Sequence, residues 1–91
     1  MFKSKISKSF KKDVEKARRQ KKDLELLGKV MYTLLSEQPL NPIFQDHQLK
    51  GRWSWYRDCH VTSDWVMIYR ILAEEQIIKF ERLGSHAELF G

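Results

Sequence analysis

Gly51-Arg-Trp-Ser-Trp-Tyr-Arg-Asp-Cys-His-Val-Thr-Ser-Asp-Trp-Val-Met-Ile-Tyr69 gathers all three Trp of the chain, its only Cys and one of its three His into two extended runs and a turn. Side chains of an extended run alternate between faces. Trp53, Trp55, Arg57, Cys59 and Val61 therefore share one face, and Arg52, Ser54, Tyr56, Asp58 and His60 the other. Thr62-Ser-Asp64 supplies turn residues. Trp65 to Leu72 is nearly continuously apolar around Arg70, as expected of a central strand covered on both sides. The stretch reads as a β-hairpin that sends its Trp side chains to the core and keeps polar groups among them.

Downstream, Ala73-Glu-Glu-Gln76 makes a turn, Ile77 to Arg82 alternates as a last strand, and Leu83-Gly84 ends it. Upstream, Pro39 and Pro42 lack the N–H that a helix needs and restrict the residue before them, so Pro39 to Gly51 is a long loop. Before it, Leu24, Leu27, Met31, Leu34 and Leu35 recur at helical spacing behind Asp23, a good N-cap, and predict a helix from Asp23 to Ser36. Gly28 costs that helix roughly 1 kcal/mol relative to Ala, and a close approach of another helix would explain it. Phe10, Val14 and Ala17 form the stripe of an earlier helix capped by Ser7 or Ser9, and Phe2 to Ile6 alternates as a first strand. The order strand, helix, helix, strand, strand, strand predicts an α+β fold. An N-terminal helical hairpin packs on one face of a small, mainly antiparallel sheet, in one domain spanning residues 1–91.

Charge is unevenly spread. The net charge is +5, and Lys3, Lys5, Lys8, Lys11, Lys12, Lys16, Arg18, Arg19, Lys21 and Lys22 crowd the first quarter against Asp13 and Glu15. Such a cluster attracts nucleic-acid phosphates, acidic proteins or anionic lipid, or simply keeps a helix face solvated. The lone Cys59 cannot form an internal disulfide, which fits a reducing compartment. No run approaches the ~20 apolar residues of a membrane span, and Met1 to Lys12 lacks the apolar core of a signal peptide. The chain reads as cytoplasmic.

His47, His60 and His86 each lie beside an acid or at the end of a segment, and all flank the hairpin. A lone His is ordinarily a surface residue with no role. Three around one hairpin, with Asp64 in its turn, can converge because strand ends distant in sequence meet at one edge of a sheet. Zinc is disfavoured: no paired ligand spacing is present, and adjacent Cys59 and His60 point to opposite faces. Cys59 as a nucleophile is weaker still, because it falls on the Trp face. Acid–base chemistry suits the set better, since histidine with its unperturbed pKa near ~6.5 donates or accepts near neutrality. One group would take the ribose 2′-hydroxyl proton, and a second would protonate the departing 5′-oxygen of RNA. Arg57 and Arg82 would support the extra negative charge, and Phe90 could stack on a base. A non-catalytic nucleic-acid or protein binder is the rival reading.

At these residues the chain resembles a known family. Asp46-His47-Gln-Leu-Lys50-Gly51, Tyr56-Arg-Asp-Cys-His-Val61, Asp64-Trp65 with Ile68-Tyr69, Phe80-Glu-Arg-Leu-Gly84 and Ser85-His86 through Leu89-Phe-Gly91 are together similar to the YafQ branch of the RelE/ParE toxin superfamily. The resemblance implies a RelE-like, microbial-ribonuclease-like fold and the toxin of a type II toxin–antitoxin pair. Such a toxin is a ribosome-dependent endoribonuclease that cuts mRNA in the A site without metal or cofactor. It is held in check by a cognate antitoxin, through which the complex binds operator DNA. The matching positions are His47, His60, Asp64 and His86 as the catalytic set, with His86 as the acid and the base among the other three. Phe90, Arg57, Arg82 and Lys50 would contact substrate, with Arg82 alternatively paired to an acid such as Asp58. Lys11, Lys12, Arg18 and Arg19 would contact ribosomal RNA. The alternative within the superfamily is a ParE-like, non-enzymatic toxin acting on DNA gyrase, whose members lack this His set.

Overall fold

The apolar run that reads as a central strand occupies that place. In the computed structural model, which describes residues 1–91, β4 (Trp65–Leu72) lies in the middle of a five-stranded sheet. Its neighbours are β3 (Arg57–Thr62) and β5 (Ile77–Gly84), both antiparallel to it. The first strand, β1 (Lys3–Ile6), pairs parallel to β5 on the outer edge. A two-residue strand, β2 (His47–Gln48), pairs with the start of β3 on the other edge. The spatial order is β1-β5-β4-β3-β2, which bears out the mainly antiparallel α+β fold. Trp65, Val66, Met67, Ile68 and Tyr69 are all buried, so β4 anchors the core from both faces.

Two helices connect β1 to the rest. Ser7 caps α1 (Lys8–Arg19) by accepting the Phe10 N–H at 2.9 Å, and Asp23 caps α2 (Leu24–Leu35) by accepting the Leu26 N–H at 2.9 Å. Phe10, Ala17, Leu27 and Val30 face Cys59, Val61, Met67, Tyr69, Ile78, Phe80 and Leu83 in one buried cluster. Burying each of the larger side chains contributes about 1.5–3 kcal/mol. Gly28, by contrast, is not a packing glycine: a Cβ there would meet nothing within 4 Å. The expected close approach of α1 at that point is absent.

The first helix also reaches the edge of β5 beyond the end of β1. Ser7 Oγ donates to the Glu81 carbonyl at 2.8 Å, and Asp13 accepts the Leu83 N–H at 2.9 Å. The β4–β5 register shifts here, with Ile68 opposite Arg82 and Tyr69 opposite Phe80, so Glu81 forms a bulge. Bulges re-aim side chains and increase local twist.

Three segments depart from the sequence reading. Gly51–Trp53 is a 3-10 turn rather than strand, and β3 starts only at Arg57. Gly51 takes a φ of +67, a left-handed conformation that interrupts an extended run and costs glycine little. Trp53 and Trp55 are consequently exposed, at 38% and 75%, and of the three Trp only Trp65 is core. The long loop contains β2 and a 3-10 turn at Pro42–Phe44. The chain closes in a short helix, α3 (His86–Phe90).

Candidate active site

The register of the sheet gathers the polar groups. Directly opposite residues share a face, so the row Asp58–Ile68–Arg82 and the row His60–Val66–Gly84 lie on one side of β3, β4 and β5. Past Gly84, α3 turns back over this face, its first turn closed by a capping box. Ser85 Oγ accepts the Glu88 N–H, and Glu88 accepts the Ser85 N–H at 2.8 Å. Gly84 makes the fold-back possible: a Cβ there would lie 3.1 Å from Glu88 Oε1 and 3.4 Å from Leu89 Cδ2. The result sets the His86 ring 5.0 Å from the His60 ring, centroid to centroid.

Asp64, at the β3–β4 turn, ties this pair down. Its Oδ1 lies 3.3 Å from the His86 backbone N–H and 3.4 Å from His86 Nδ1. His60 Nδ1 faces the Ser63 carbonyl at 3.3 Å, and His47 Nδ1 faces the Gln45 carbonyl at 2.7 Å. Each of the three acceptors demands a proton on Nδ1. In the neutral imidazoles Nε2 is therefore the free, basic nitrogen. Three rings on separate elements are thus held in one tautomer, each with the same nitrogen available.

The sequence reading missed Asp58. It is 2% exposed, and His47 Nδ1 lies 3.2 Å from its Oδ1. Because that imidazole directs its N–H to Gln45, Asp58 Oδ1 has no hydrogen-bond partner. Burial raises the Asp58 carboxyl above its ordinary range, and His47, His60 and His86 pull it back down. A buried acid is thus the common electrostatic neighbour of all three His. The available signal was its place on the same strand face as His60.

Aromatic rings continue the wall. Phe90 lies 6.0 Å from His86, and Trp53 meets Phe90 edge-on at 6.1 Å. Trp53 in turn meets Tyr56 edge-on at 5.6 Å. Arg82 shares the face of Asp58 but pairs with Asp13, Nε at 2.9 Å and Nη2 at 3.4 Å, and not with Asp58. That ion pair, the first cause, raises the Arg82 pKa. Arg57 is not brought to the His set. It occupies the opposite face of β3, 3.2 Å from Asp46 Oδ2 and 3.4 Å from the Tyr69 hydroxyl. Lys50 is exposed beside the Gly51–Trp53 turn. Lys11, Lys12, Arg18 and Arg19 line the outer face of α1, all exposed.

No three His, Cys, Asp or Glu side chains are grouped to hold a metal ion, and no helix is long and apolar enough to cross a membrane.

Known proteins are similar to this chain over nearly its whole length. An mRNA interferase toxin YafQ of Escherichia coli strain K12 is 41% identical over 83 residues, covering 90% of this chain and 88% of that protein. The same fold occurs in a metal-bound toxin from Helicobacter pylori, with a TM-score of 0.94 at 42% identity over 99% of this chain and 100% of that one. It recurs in the E. coli DinJ–YafQ complex, with a TM-score of 0.91 at 38% identity over all of both chains. Residues 2–91 match the family model described as the bacterial toxin of type II toxin–antitoxin systems, YafQ. By that match and these identities, the chain belongs to the YafQ family of bacterial toxins.

Proposed function

We propose that this protein is the toxin of a type II toxin–antitoxin pair and an endoribonuclease that cuts mRNA in the ribosomal A site by metal-independent acid–base catalysis. The observation that carries the reading is the His60–His86 pair, with Asp64 on His86 Nδ1. An imidazole held at Nδ1 by a carboxylate is fixed in its orientation and tautomer. His86 then suits the general acid: it gives its Nε2 proton to the leaving 5′-oxygen. With Asp64 engaged on His86, the base is an imidazole, and His60 is the nearer one. Its Nε2 removes the 2′-hydroxyl proton, the 2′-oxygen attacks the adjacent phosphorus, and the P–O5′ bond breaks to leave a 2′,3′-cyclic phosphate. His47 is the second candidate base. Arg82, with its remaining N–H groups, would neutralise charge on the phosphorane. Phe90 and Trp53 offer rings for an unpaired base.

The curated relative carries the name mRNA interferase, and another YafQ is solved with the antitoxin DinJ. Both support RNA as substrate and a cognate antitoxin as partner here. The exposed cations Lys11, Lys12, Arg18 and Arg19 are suited to ribosomal RNA, whose phosphates bind such clusters without reading sequence. The test is induction of the wild type and of His86→Gln in cells, with mapping of transcript ends. Wild-type induction should shorten transcripts at coding positions, and His86→Gln should slow cleavage by about 10²–10⁴-fold, the usual contribution of a general acid. Undiminished cutting by His86→Gln overturns the assignment, and DNA breaks with intact transcripts would indicate a gyrase-directed toxin instead. Chelation with EDTA should leave the purified activity unchanged.

A further inference from the structure

A pocket of about 490 Å³ opens beside His60, between the Pro42–Phe44 turn and the end of β3. Leu26 from α2, Ile43 and Phe44 from the turn and Val61 from β3 supply its apolar lining, and Gln45, His60, Thr62 and Ser63 its polar lining. The volume falls within the ~300–1,000 Å³ of small-molecule sites, and mostly apolar walls with a few polar groups match them too. Lys, Arg, Asp and Glu make up 32% of the chain, yet none of them lines this pocket. That lining offers no fixed countercharge for a phosphate and suits the uncharged face of an aromatic ring.

The pocket is built on a fixed turn. Asn41 Oδ1 accepts the Ile43 N–H at 3.0 Å, the Asn41 carbonyl accepts the Phe44 N–H at 3.0 Å, and Gln45 closes the turn at φ +49. This turn holds Ile43 73% exposed, a large apolar side chain in water two positions before Gln45, whose carbonyl orients His47. The Ser63 carbonyl orients His60 in the same way. Two lining residues of the pocket are therefore the acceptors that set imidazoles of the site.

We propose that this pocket receives a nucleobase of the substrate RNA adjacent to the cut, packed on Ile43 and read at its edge by the Gln45 side chain. The proposal rests on the endoribonuclease reading above. Unpaired bases are bound by apolar and aromatic surfaces and distinguished by hydrogen bonds to their edges. The site therefore selects the base at one position next to the scissile phosphate.

Two variants test it: Ile43→Ser, which removes an exposed apolar wall, and Gln45→Gly, which keeps the left-handed backbone and deletes the side chain. Both are assayed for thermal unfolding, for cleavage of mRNA on programmed ribosomes and for the base distribution at mapped cut sites. The expected result is wild-type folding, a KM raised about tenfold with kcat little changed, in keeping with loss of one base contact, and a flattened preference at a single position. Wild-type KM and unchanged preference in both variants overturn the pocket assignment while leaving the nuclease reading intact. Unchanged cleavage with weakened binding of the cognate antitoxin also overturns it, and gives the pocket to a protein partner. Absence of RNA cleavage by the wild type overturns both readings together.

Discussion

Asp58 and Cys59 are neighbours in β3 that point to opposite faces, and burial disfavours the charged form of both. The Cys59 thiol is pushed up to about 12, so at pH 8 almost none of it is thiolate, the form that reacts. Native protein should resist labelling by a disulfide reagent at pH 8, with modification following global unfolding. Rapid labelling of the folded protein would contradict this. Asp58 is raised by desolvation in spite of the three His. An acid whose folded pKa exceeds its unfolded value binds more protons when folded. Its contribution to stability therefore falls as pH rises from about 3.8, where a solvated aspartate titrates, through the raised value. In Asp58→Asn that slope disappears. Denaturant midpoints measured from pH 4 to 7 should show the variant gaining on the wild type as pH rises. The same variant should lose cleavage activity, because the buried acid beside the imidazoles is gone. A pH-independent difference between the two proteins would refute the assignment.

Among the elements, α3 links local chemistry to the site most directly. Its five residues cannot form a stable helix alone, since isolated helices shorter than ~12–15 residues are marginal. The Ser85–Glu88 capping box holds it, with the Lys16 ammonium on Glu88 as a tether to α1. The Lys16 contact, then the Ser85 N–H, hold the Glu88 carboxyl down at about 2. A depressed acid stabilises the fold above its unfolded value, and that contribution is lost as pH falls from about 4.5 toward about 2. The pair is partly exposed and screened by solvent. Glu88→Ala should therefore cost only about 1 kcal/mol, typical of a lost cap. Cleavage should fall by more than that loss of stability explains, because α3 carries both His86 and Phe90. Activity that merely tracks the folded fraction would show that α3 does not position them. Ser85-x-x-Glu88 has the spacing of a capping box, but the sequence reading did not draw a helix there, because five residues have no apolar period to announce one. The helix caps at Ser7 and Asp23 and the run from Trp65 were legible because each rests on local chemistry. The aromatic alternation at Trp53 and Trp55 misled, because periodicity reports spacing and not burial. Arg57 lies away from the His set because strand alternation puts it on the face opposite Asp58 and His60, and there it pairs with Asp46.

Across the whole molecule, one side chain couples the helical hairpin to the sheet beneath the site. Asp13 extends from α1 past the end of β1 and satisfies the Leu83 N–H and the Arg82 guanidinium together. Only sixteen of the 91 residues are buried, so single ties carry a large share of the stability. At roughly 0.05–0.15 kcal/mol per residue, a chain of this length has about 5–14 kcal/mol in total. Removing Asp13 leaves a donor on the sheet edge unmatched and an Arg without its counter-ion. That costs about 2 kcal/mol for the unpaired backbone donor and the lost charged bond together. Asp13→Asn keeps an acceptor for Leu83 and loses only the ion pair, so its cost should be nearer 1 kcal/mol. Thermal unfolding of the two variants separates these contributions. At about 4–8 °C per kcal/mol for a protein of this size, Asp13→Ala should lower the Tm by about 10 °C and Asp13→Asn by about half that. Equal losses would mean that the charge matters and the bond to Leu83 does not. A negligible loss in both would mean that the apolar contacts of Phe10 and Ala17 and the Ser7 bond to Glu81 hold α1 to β5 without Asp13. Cleavage by either variant below its unfolding temperature reads the other half of the coupling. Arg82 released from Asp13 is free to swing, so kcat should fall as its guanidinium leaves the phosphorane, while the His60–His86 pair stays anchored through Asp64.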